Sequence, residues 1–342
     1  MEWDTFFPPG TPVRALPNWK RPRLYLGTGT VSKRWASSAL YPSYRASAKL
    51  VKWLLRFIVA TFPWPSRITD RDWLFSDFIR ESGLGECSPW AVLIGTDGPA
   101  QKATIEFHSP GGDIAAYLKY GDTPPAKMRI QNEHEILSGL PVSVLAPTVF
   151  RFDRVGKGVA LLLSPVPGRP LTDNFSLPKS VLEYIDAIPV HDSSTIDDHP
   201  WCIRIANNDA KIIRDYLSTL RSRSWAVLPQ HGDFAPWNLY KDGKENIYAL
   251  DWEYGTMEGF PGRDLAYYFL QTSALIKRWT PSKGCHYAIQ KMAEIKRSCL
   301  SDAEVESIVR LTAYDAYLNS KVDGNRSDSY LQVWRKAVWE GA

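Results

Sequence analysis

The sequence predicts an α+β chain in two lobes, a small antiparallel sheet carrying one helix and then a mainly helical lobe. Three observations predict this. Residues 86–165 hold short strand-like runs between Gly- and Pro-bearing turns, residues 166–342 are dominated by helical patterns, and one strand–loop–strand insert, 227–252, interrupts the helices. The corresponding division is 1–85, a basic N-terminal arm with helices, 86–165, the sheet lobe, and 166–342, the helical lobe.

Taken in order, residues 1–40 are rich in Pro, Gly and aromatics without sustained periodicity, and read as an extended arm lying on another surface. Ala46 to Thr61 reads as a helix, with Lys49, Lys52 and Arg56 on one face and Leu50, Val51, Leu54, Phe57 and Ile58 around the rest. Pro63 and Pro65 stop it. A second helix is expected from Asp70 to Ser82, started by Thr69 or Asp70 and ended by Gly83 and Gly85. Strands follow at Trp90–Gly95, Lys102–Phe107 and Ile114–Tyr120, separated by Thr96-Asp97-Gly98-Pro99 and Ser109-Pro110-Gly111-Gly112. A helix from about Pro125 to Ser138 and a hairpin of Val149–Asp153 with Val159–Leu163 complete the sheet lobe. Beyond Pro167-Gly168, helices are expected at Pro178–Ile188, Asn208–Arg221, Asp264–Ile276, Lys283–Cys299, Asp302–Leu318 and Ser329–Glu340.

Composition excludes several classes. The 342 residues are 44% hydrophobic, 23% charged and 13% aromatic, which suits a globular protein with a sizeable core. Cys87, Cys202, Cys285 and Cys299 lie far apart and form no CxxC, so neither a zinc site nor a disulfide scaffold is expected. The start, Met1-Glu2-Trp3-Asp4, lacks the basic opening of a secretory signal, and the apolar stretch Trp53 to Trp64 is broken by Arg56 and too short to span a bilayer. A cytoplasmic protein is expected. The net charge of +4 conceals an asymmetry, because residues 5–69 hold eleven Lys/Arg and no Asp or Glu. That segment suits an anionic surface, and peripheral contact with the inner face of a membrane through residues 46–64 is one expectation. It carries no recognisable nucleic-acid-binding module, and no nucleic-acid partner is expected.

The chemistry concentrates in His231-Gly232-Asp233-Phe234-Ala235-Pro236-Trp237-Asn238, followed by Leu250-Asp251-Trp252-Glu253. Phosphoryl transfer asks a protein for a carboxylate beside the attacking hydroxyl and for oxygen ligands to the magnesium that bridges the phosphates. Asp and Asn five residues apart on one loop can supply both, Asp233 to the acceptor and Asn238 to the metal. A hairpin around Lys241-Asp242-Gly243 then brings Asp251 as a second oxygen ligand suited to Mg²⁺.

This pattern, HGDxxxxN with a short hairpin and then LDWE, resembles the catalytic signature of the aminoglycoside phosphotransferase/choline kinase superfamily, small-molecule kinases of the protein-kinase-like fold. The resemblance implies Asp233 as catalytic base, Asn238 and Asp251 as magnesium ligands, His231 as a residue that orders the loop, and ATP as cofactor. It extends through Gly259-Phe260-Pro261-Gly262-Arg263-Asp264-Leu265-Ala266, where Asp264 is expected to cap the following helix. In the sheet lobe, Lys119 at a strand end would contact the α- and β-phosphates, held by Glu133 or, in reserve, Glu135. Gly95 and Gly98 would cover the phosphates, with Asp97 an awkward neighbour. Backbone groups near Ser164 and Val166 would bind adenine, Val166 being the better donor because Pro165 and Pro167 have no N–H.

The expected activity is ATP-dependent phosphorylation of a small-molecule hydroxyl, with a sugar or cell-envelope precursor as leading acceptor and aminoglycosides or choline/ethanolamine as alternatives. Residues 166–342 hold 21 basic and 23 acidic side chains, which is little acidic excess for a polycationic antibiotic. A protein kinase is disfavoured by HGD in place of HRD. A non-catalytic kinase-fold protein brought to membranes by its basic segment is the alternative of another class, and retention of Lys119, Asp233, Asn238 and Asp251 argues against it.

Overall fold

The computed structural model describes all residues except 1, 28, 41–45, 62–64, 172–175, 207–210, 297–299 and 342. The described chain divides into two compact units, residues 1–134 with 147–165 and residues 135–146 with 166–342.

The first unit is built on one antiparallel sheet of eight strands. Strands β1 (Pro12–Leu16) and β2 (Leu24–Gly27) precede helices α1 (Val31–Ser37) and α2 (Ala46–Thr61). Strand β3 (Ser66–Ile68), a short α3 (Ser76–Ile79) with an added π turn, and strands β4 (Ser88–Ile94), β5 (Ala103–His108) and β6 (Ile114–Gly121) follow. Helix α4 (Pro124–Gly139) then leads to β7 (Val149–Val155) and β8 (Gly158–Leu163). The strand order is β3-β1-β2-β4-β5-β6-β8-β7.

Two expectations change here. Residues 1–40, read as an arm, supply two strands of the sheet, β1 and β2, and residues 66–68 supply a third, so the sheet is larger than the sequence suggested. Phe6 and Phe7 are buried with Phe75, Phe107 and Tyr120 in the core on this sheet. The helix expected over 70–82 begins only at Ser76. Thr69 is not its cap: its buried hydroxyl donates to the Pro8 carbonyl at 2.6 Å and accepts from the Thr11 N–H at 3.0 Å, tying β3 to the chain start. Gly83, at φ 75°, ends the helical stretch as expected.

The second unit contains β9 (Arg169–Pro170), α5 (Lys179–Asp186), β10 (Asp192–Ser194), α6 (Pro200–Ala206), α7 (Lys211–Thr219) and β11 (Trp225–Gln230). Next come the hairpin β12 (Leu239–Lys241) and β13 (Ile247–Ala249), strand β14 (Thr256–Gly259), and helices α8 (Arg263–Gln271), α9 (Pro281–Lys296), α10 (Asp302–Val322) and α11 (Tyr330–Trp339). Two three-stranded sheets, β10-β11-β14 and β13-β12-β9, frame the motif loop. The apolar core gathers Trp201, Trp225, Trp252, Phe260 and Phe269. Helix α10 starts with a full capping box, Ser301 and Glu304 each satisfying the other's backbone N–H. Cys87, Cys202 and Cys285 are buried free thiols, and Cys299 lies outside the described residues.

A buried charge cluster fixes the start of α8. The Asp315 carboxylate, fully buried, accepts from Arg263 at 2.5 Å, Arg204 at 2.7 Å and the Trp201 indole at 3.1 Å. Burial alone would raise its pKa, but Arg263, Arg204 and the Trp201 hydrogen bond prevail and hold it below the usual carboxylate range. Asp315→Ala leaves the buried Arg263 without its closest partner and is expected to cost about 3–5 kcal/mol, read from the denaturant midpoint. A carboxyl with a depressed folded-state pKa stabilises above its unfolded pKa and ceases to do so as pH falls through the folded one. The contribution is therefore intact at neutral pH and lost only below the ordinary carboxylate range.

Candidate active site

The loop from His231 to Asn238 joins β11 to β12 through a short 3-10 turn at Pro236–Asn238. Gly232 takes φ 82°, and a Cβ there would stand 2.1 Å from the Tyr254 carbonyl oxygen, so this position needs glycine. The first turn of α8 clamps the loop. The buried Asp264 carboxylate accepts from the backbone N–H of His231 at 2.8 Å and of Gly232 at 3.0 Å. One turn on, the Tyr267 hydroxyl donates to Asp233 Oδ1 at 2.6 Å. Asp264 therefore does not cap its own helix as expected. The N-cap position is Gly262, and the side chain serves the loop instead.

His231 is buried against Trp252 and Phe234, with ring centroids 4.8 and 5.8 Å away. Its Nε2 lies 2.7 Å from the Leu250 carbonyl oxygen and its Nδ1 3.2 Å from the Asp233 backbone nitrogen. A carbonyl can only accept and an N–H can only donate, which assigns the proton to Nε2. Leu250 is held from its other side too, its N–H donating to the Asn238 carbonyl at 2.8 Å. These two bonds seat Asp251, the next residue, beside the loop. Asp251 adopts φ 67°, a left-handed conformation unusual for a residue with a side chain.

Asp233 and Asn238 are in contact. Asn238 Nδ2 donates to the Asp233 backbone carbonyl and to Asp233 Oδ2, both at 2.9 Å. The amide nitrogen is thus committed to Asp233, and the amide oxygen is the atom left to face a cation. Burial is the largest influence on Asp233 and pushes its carboxyl up, and the Asp251 carboxylate pushes the same way. Tyr267, His231 and Asn238 pull against them without prevailing. A buried carboxylate whose proton affinity is raised by a second carboxylate nearby is a setting in which a cation is welcome.

In the other unit, half-buried Lys119 on β6 and fully buried Glu133 on α4 form an ion pair, with Lys119 Nζ 2.6 Å from both carboxylate oxygens. Glu135 is exposed, so of the two candidate partners it is Glu133 that meets the lysine. Gly95 donates its N–H to the Lys102 carbonyl at 2.8 Å, and the Gly98 carbonyl accepts from Gln101 at 3.1 Å, closing the β4–β5 turn. The Asp97 carboxylate accepts from the Gln101 amide at 2.9 Å. The Ser164 N–H is already bonded to the Thr148 carbonyl at 2.9 Å, which removes it as a donor to a base and leaves the Ser164 carbonyl and Val166.

Two site residues escaped the sequence reading. Tyr267 holds Asp233, and Arg335 on α11 donates to the Tyr267 hydroxyl at 3.3 Å. The i, i+3 spacing of Asp264 and Tyr267 places both on one face of α8, and that spacing could have found the tyrosine. Nothing in the sequence ties Arg335 to this loop.

No family model and no curated protein matches the chain. Solved structures do. A thermostable mutant of aminoglycoside phosphotransferase APH(4)-Ia, in ternary complex with AMP-PNP and hygromycin B, aligns with a TM-score of 0.51 at 16% identity, over 78% of this chain and 98% of that chain. A further structure of APH(4)-Ia gives 0.50 at 17% identity, over 78% and 97%. The likeness shows the fold. The chain has the α+β, two-lobed, protein-kinase-like architecture found in aminoglycoside phosphotransferases.

Proposed function

We propose that the chain is an ATP- and Mg²⁺-dependent phosphotransferase acting on a hydroxyl of a small molecule. The observation that carries the reading is the Asp233–Asn238 loop. Its carboxylate and amide are in contact, and its backbone is clamped by Asp264 while His231 and Leu250 hold Asp251 beside it. On this reading Asp233 accepts the proton of the acceptor hydroxyl, and His231, Asp264 and Tyr267 hold it in position. Asn238 through its amide oxygen and Asp251 through its carboxylate would hold magnesium, an all-oxygen donor set of the kind that ion takes. A bound magnesium supplies charge neutralisation on the phosphates. Lys119, fixed by Glu133, would contact the α- and β-phosphates, the β4–β5 turn with Gly95 and Gly98 would cover them, and Val166 and the Ser164 carbonyl would meet the adenine.

For the acceptor, a sugar or cell-envelope precursor is the favoured class over an aminoglycoside or choline/ethanolamine. Residues 166–342 carry nearly balanced charge, and the N-terminal segment is strongly basic, which suits an anionic or lipid-linked acceptor better than a polycation. The test is ATP turnover measured over a panel of sugars, envelope precursors, choline, ethanolamine and aminoglycosides. One acceptor is expected to stimulate ADP release in Mg²⁺ but not in EDTA. Lys119→Met is expected to abolish the stimulated rate, Glu133→Gln to reduce it, and Glu135→Gln to leave it unchanged. A stimulated rate that survives Lys119→Met would reject the reading.

A further inference from the structure

Asp233 is tied to helix α11. The Tyr267 hydroxyl has one proton and gives it to Asp233 Oδ1 at 2.6 Å. Burial first, and the Asp233 carboxylate next, push the Tyr267 pKa up, so the hydroxyl stays a donor. Its oxygen accepts in turn from Arg335 Nη2 on α11 at 3.3 Å. The bonds therefore run in one direction, from Arg335 through Tyr267 to Asp233, and the members of such a chain polarise one another. The guanidinium is aimed by two further bonds. Arg335 Nη1 donates to the Ala316 carbonyl on α10 at 3.2 Å and to Gln332 Oε1, one turn earlier, at 3.4 Å. Gln332 is itself anchored, its Nε2 donating to the Tyr317 carbonyl at 3.1 Å. Among the described residues no carboxylate pairs with Arg335, whose acceptors are a carbonyl, an amide and the phenol. Its charge is left to act along the chain, and the carboxylate at the end of that chain is Asp233.

We infer that Arg335 is a positioning residue for Asp233, acting through the Tyr267 hydroxyl to hold the carboxylate in one orientation. Its effect on rate rests on the reading of Asp233 as the base, and the inference extends the support of that base to α11. Two donors fix the carboxylate plane, Tyr267 at Oδ1 and Asn238 at Oδ2. Asn238 lies on the loop itself, whereas Tyr267 needs something to set its proton. A hydroxyl proton rotates to suit its partners. A cationic donor against the oxygen keeps that side free of the proton and turns it to Asp233. Without Arg335 the phenol can turn its proton elsewhere, and Asp233 is then held from one side only. The competing role for Arg335 is structural, a tie between α11 and α10 through Ala316. The two roles differ in what they do to Asp233.

The test uses Arg335→Met in the full chain. Methionine keeps a flexible stem in the seam of α8, α10 and α11, where Arg335 lines a small cavity with Tyr267, Gln271 and Ala316, and removes the charge and the donors. Proton NMR reads the buried Tyr267 hydroxyl as a far-downfield resonance, identified by its loss in Tyr267→Phe, and needs no acceptor molecule. Arg335→Met is expected to move that resonance upfield, and Arg335→Lys to keep it near its wild-type position. With the acceptor that stimulates turnover, Arg335→Met and Tyr267→Phe are each expected to lower kcat about tenfold while leaving KM for MgATP unchanged. The double variant is expected to be no slower than Tyr267→Phe, because both changes break one chain. Arg335→Lys is expected to recover part of the loss. Lys336→Gln, which removes the exposed cation next along α11, is expected to change none of these. The inference is overturned if the resonance ignores Arg335→Met, or if the two losses multiply in the double variant. It is equally overturned if Arg335→Met lowers the unfolding midpoint but keeps wild-type kcat while Asp233→Asn does not. A resonance that responds, together with wild-type turnover in Asp233→Asn, supports the hold on Asp233 and rejects Asp233 as the base.

Discussion

Asp233→Asn is expected to lower kcat by about 10²–10⁴-fold while leaving nucleotide affinity within a few-fold of the wild type. The loop should keep its shape, because the backbone bonds from Asp264 and the His231–Leu250 bond do not involve the altered atoms. What changes is the chemistry at the tip. Both carboxylate oxygens now accept, one from Tyr267 and one from Asn238. An amide can match only one of these donors with its oxygen, and it cannot take a proton from the acceptor hydroxyl. Burial and the nearby Asp251 raise the proton affinity of the native carboxyl, which makes it a better base than a solvated aspartate. Single-turnover rates and calorimetry with nucleotide separate the two effects. Wild-type turnover in the variant would exclude Asp233 as the base.

How much of this was legible depended on whether a pattern is local. Strand β5 announces itself by alternation, β4, β6 and β8 as short strand-like runs bounded by Gly-bearing turns, and the loop His231–Asn238 by its own spacing. Strands β1, β2 and β3 did not. β2 is buried along its whole length, β3 is exposed along its whole length, and neither alternates. Thr69 looked like a cap because a hydroxyl near an apolar run usually is one, yet its partners lie some sixty residues earlier. For α2 the periodicity identified which residues share a side, and Ala46 and Thr61 bound it as expected. Periodicity cannot say which side turns inward. That was decided by carbonyl oxygens at Trp35 and Ala39 that need donors and find them in Arg56 and Lys52. The same holds at the site. Motif spacing favours Glu133 over Glu135 as the partner of Lys119, whereas for Asp264 and Tyr267 the sequence shows a shared face of α8 but not that this face meets the loop.

Asp251→Ala is expected to weaken binding of MgATP by about tenfold to a hundredfold, and Asn238→Ala to weaken it less. A carboxylate attracts a divalent cation by charge as well as by coordination, whereas an amide oxygen offers coordination alone. The comparison must allow for backbone strain, because residue 251 sits at φ 67° and alanine is uncomfortable there. Asp251→Asn removes that objection, since asparagine tolerates the left-handed region and keeps an oxygen while losing the charge. It should fall between wild type and alanine. The two positions should also separate in kind. Asn238 holds the Asp233 carboxylate at 2.9 Å, so Asn238→Ala frees that carboxylate and, if it is the base, should depress kcat beyond its effect on nucleotide affinity. As a metal ligand Asp251 would act on the nucleotide complex first, and its effect should vanish when ATP binding is measured in EDTA. Calorimetric titration with and without Mg²⁺ reads all of these. If Asp251→Ala binds MgATP as tightly as the wild type, Asp251 is no metal ligand, and its left-handed backbone needs another explanation.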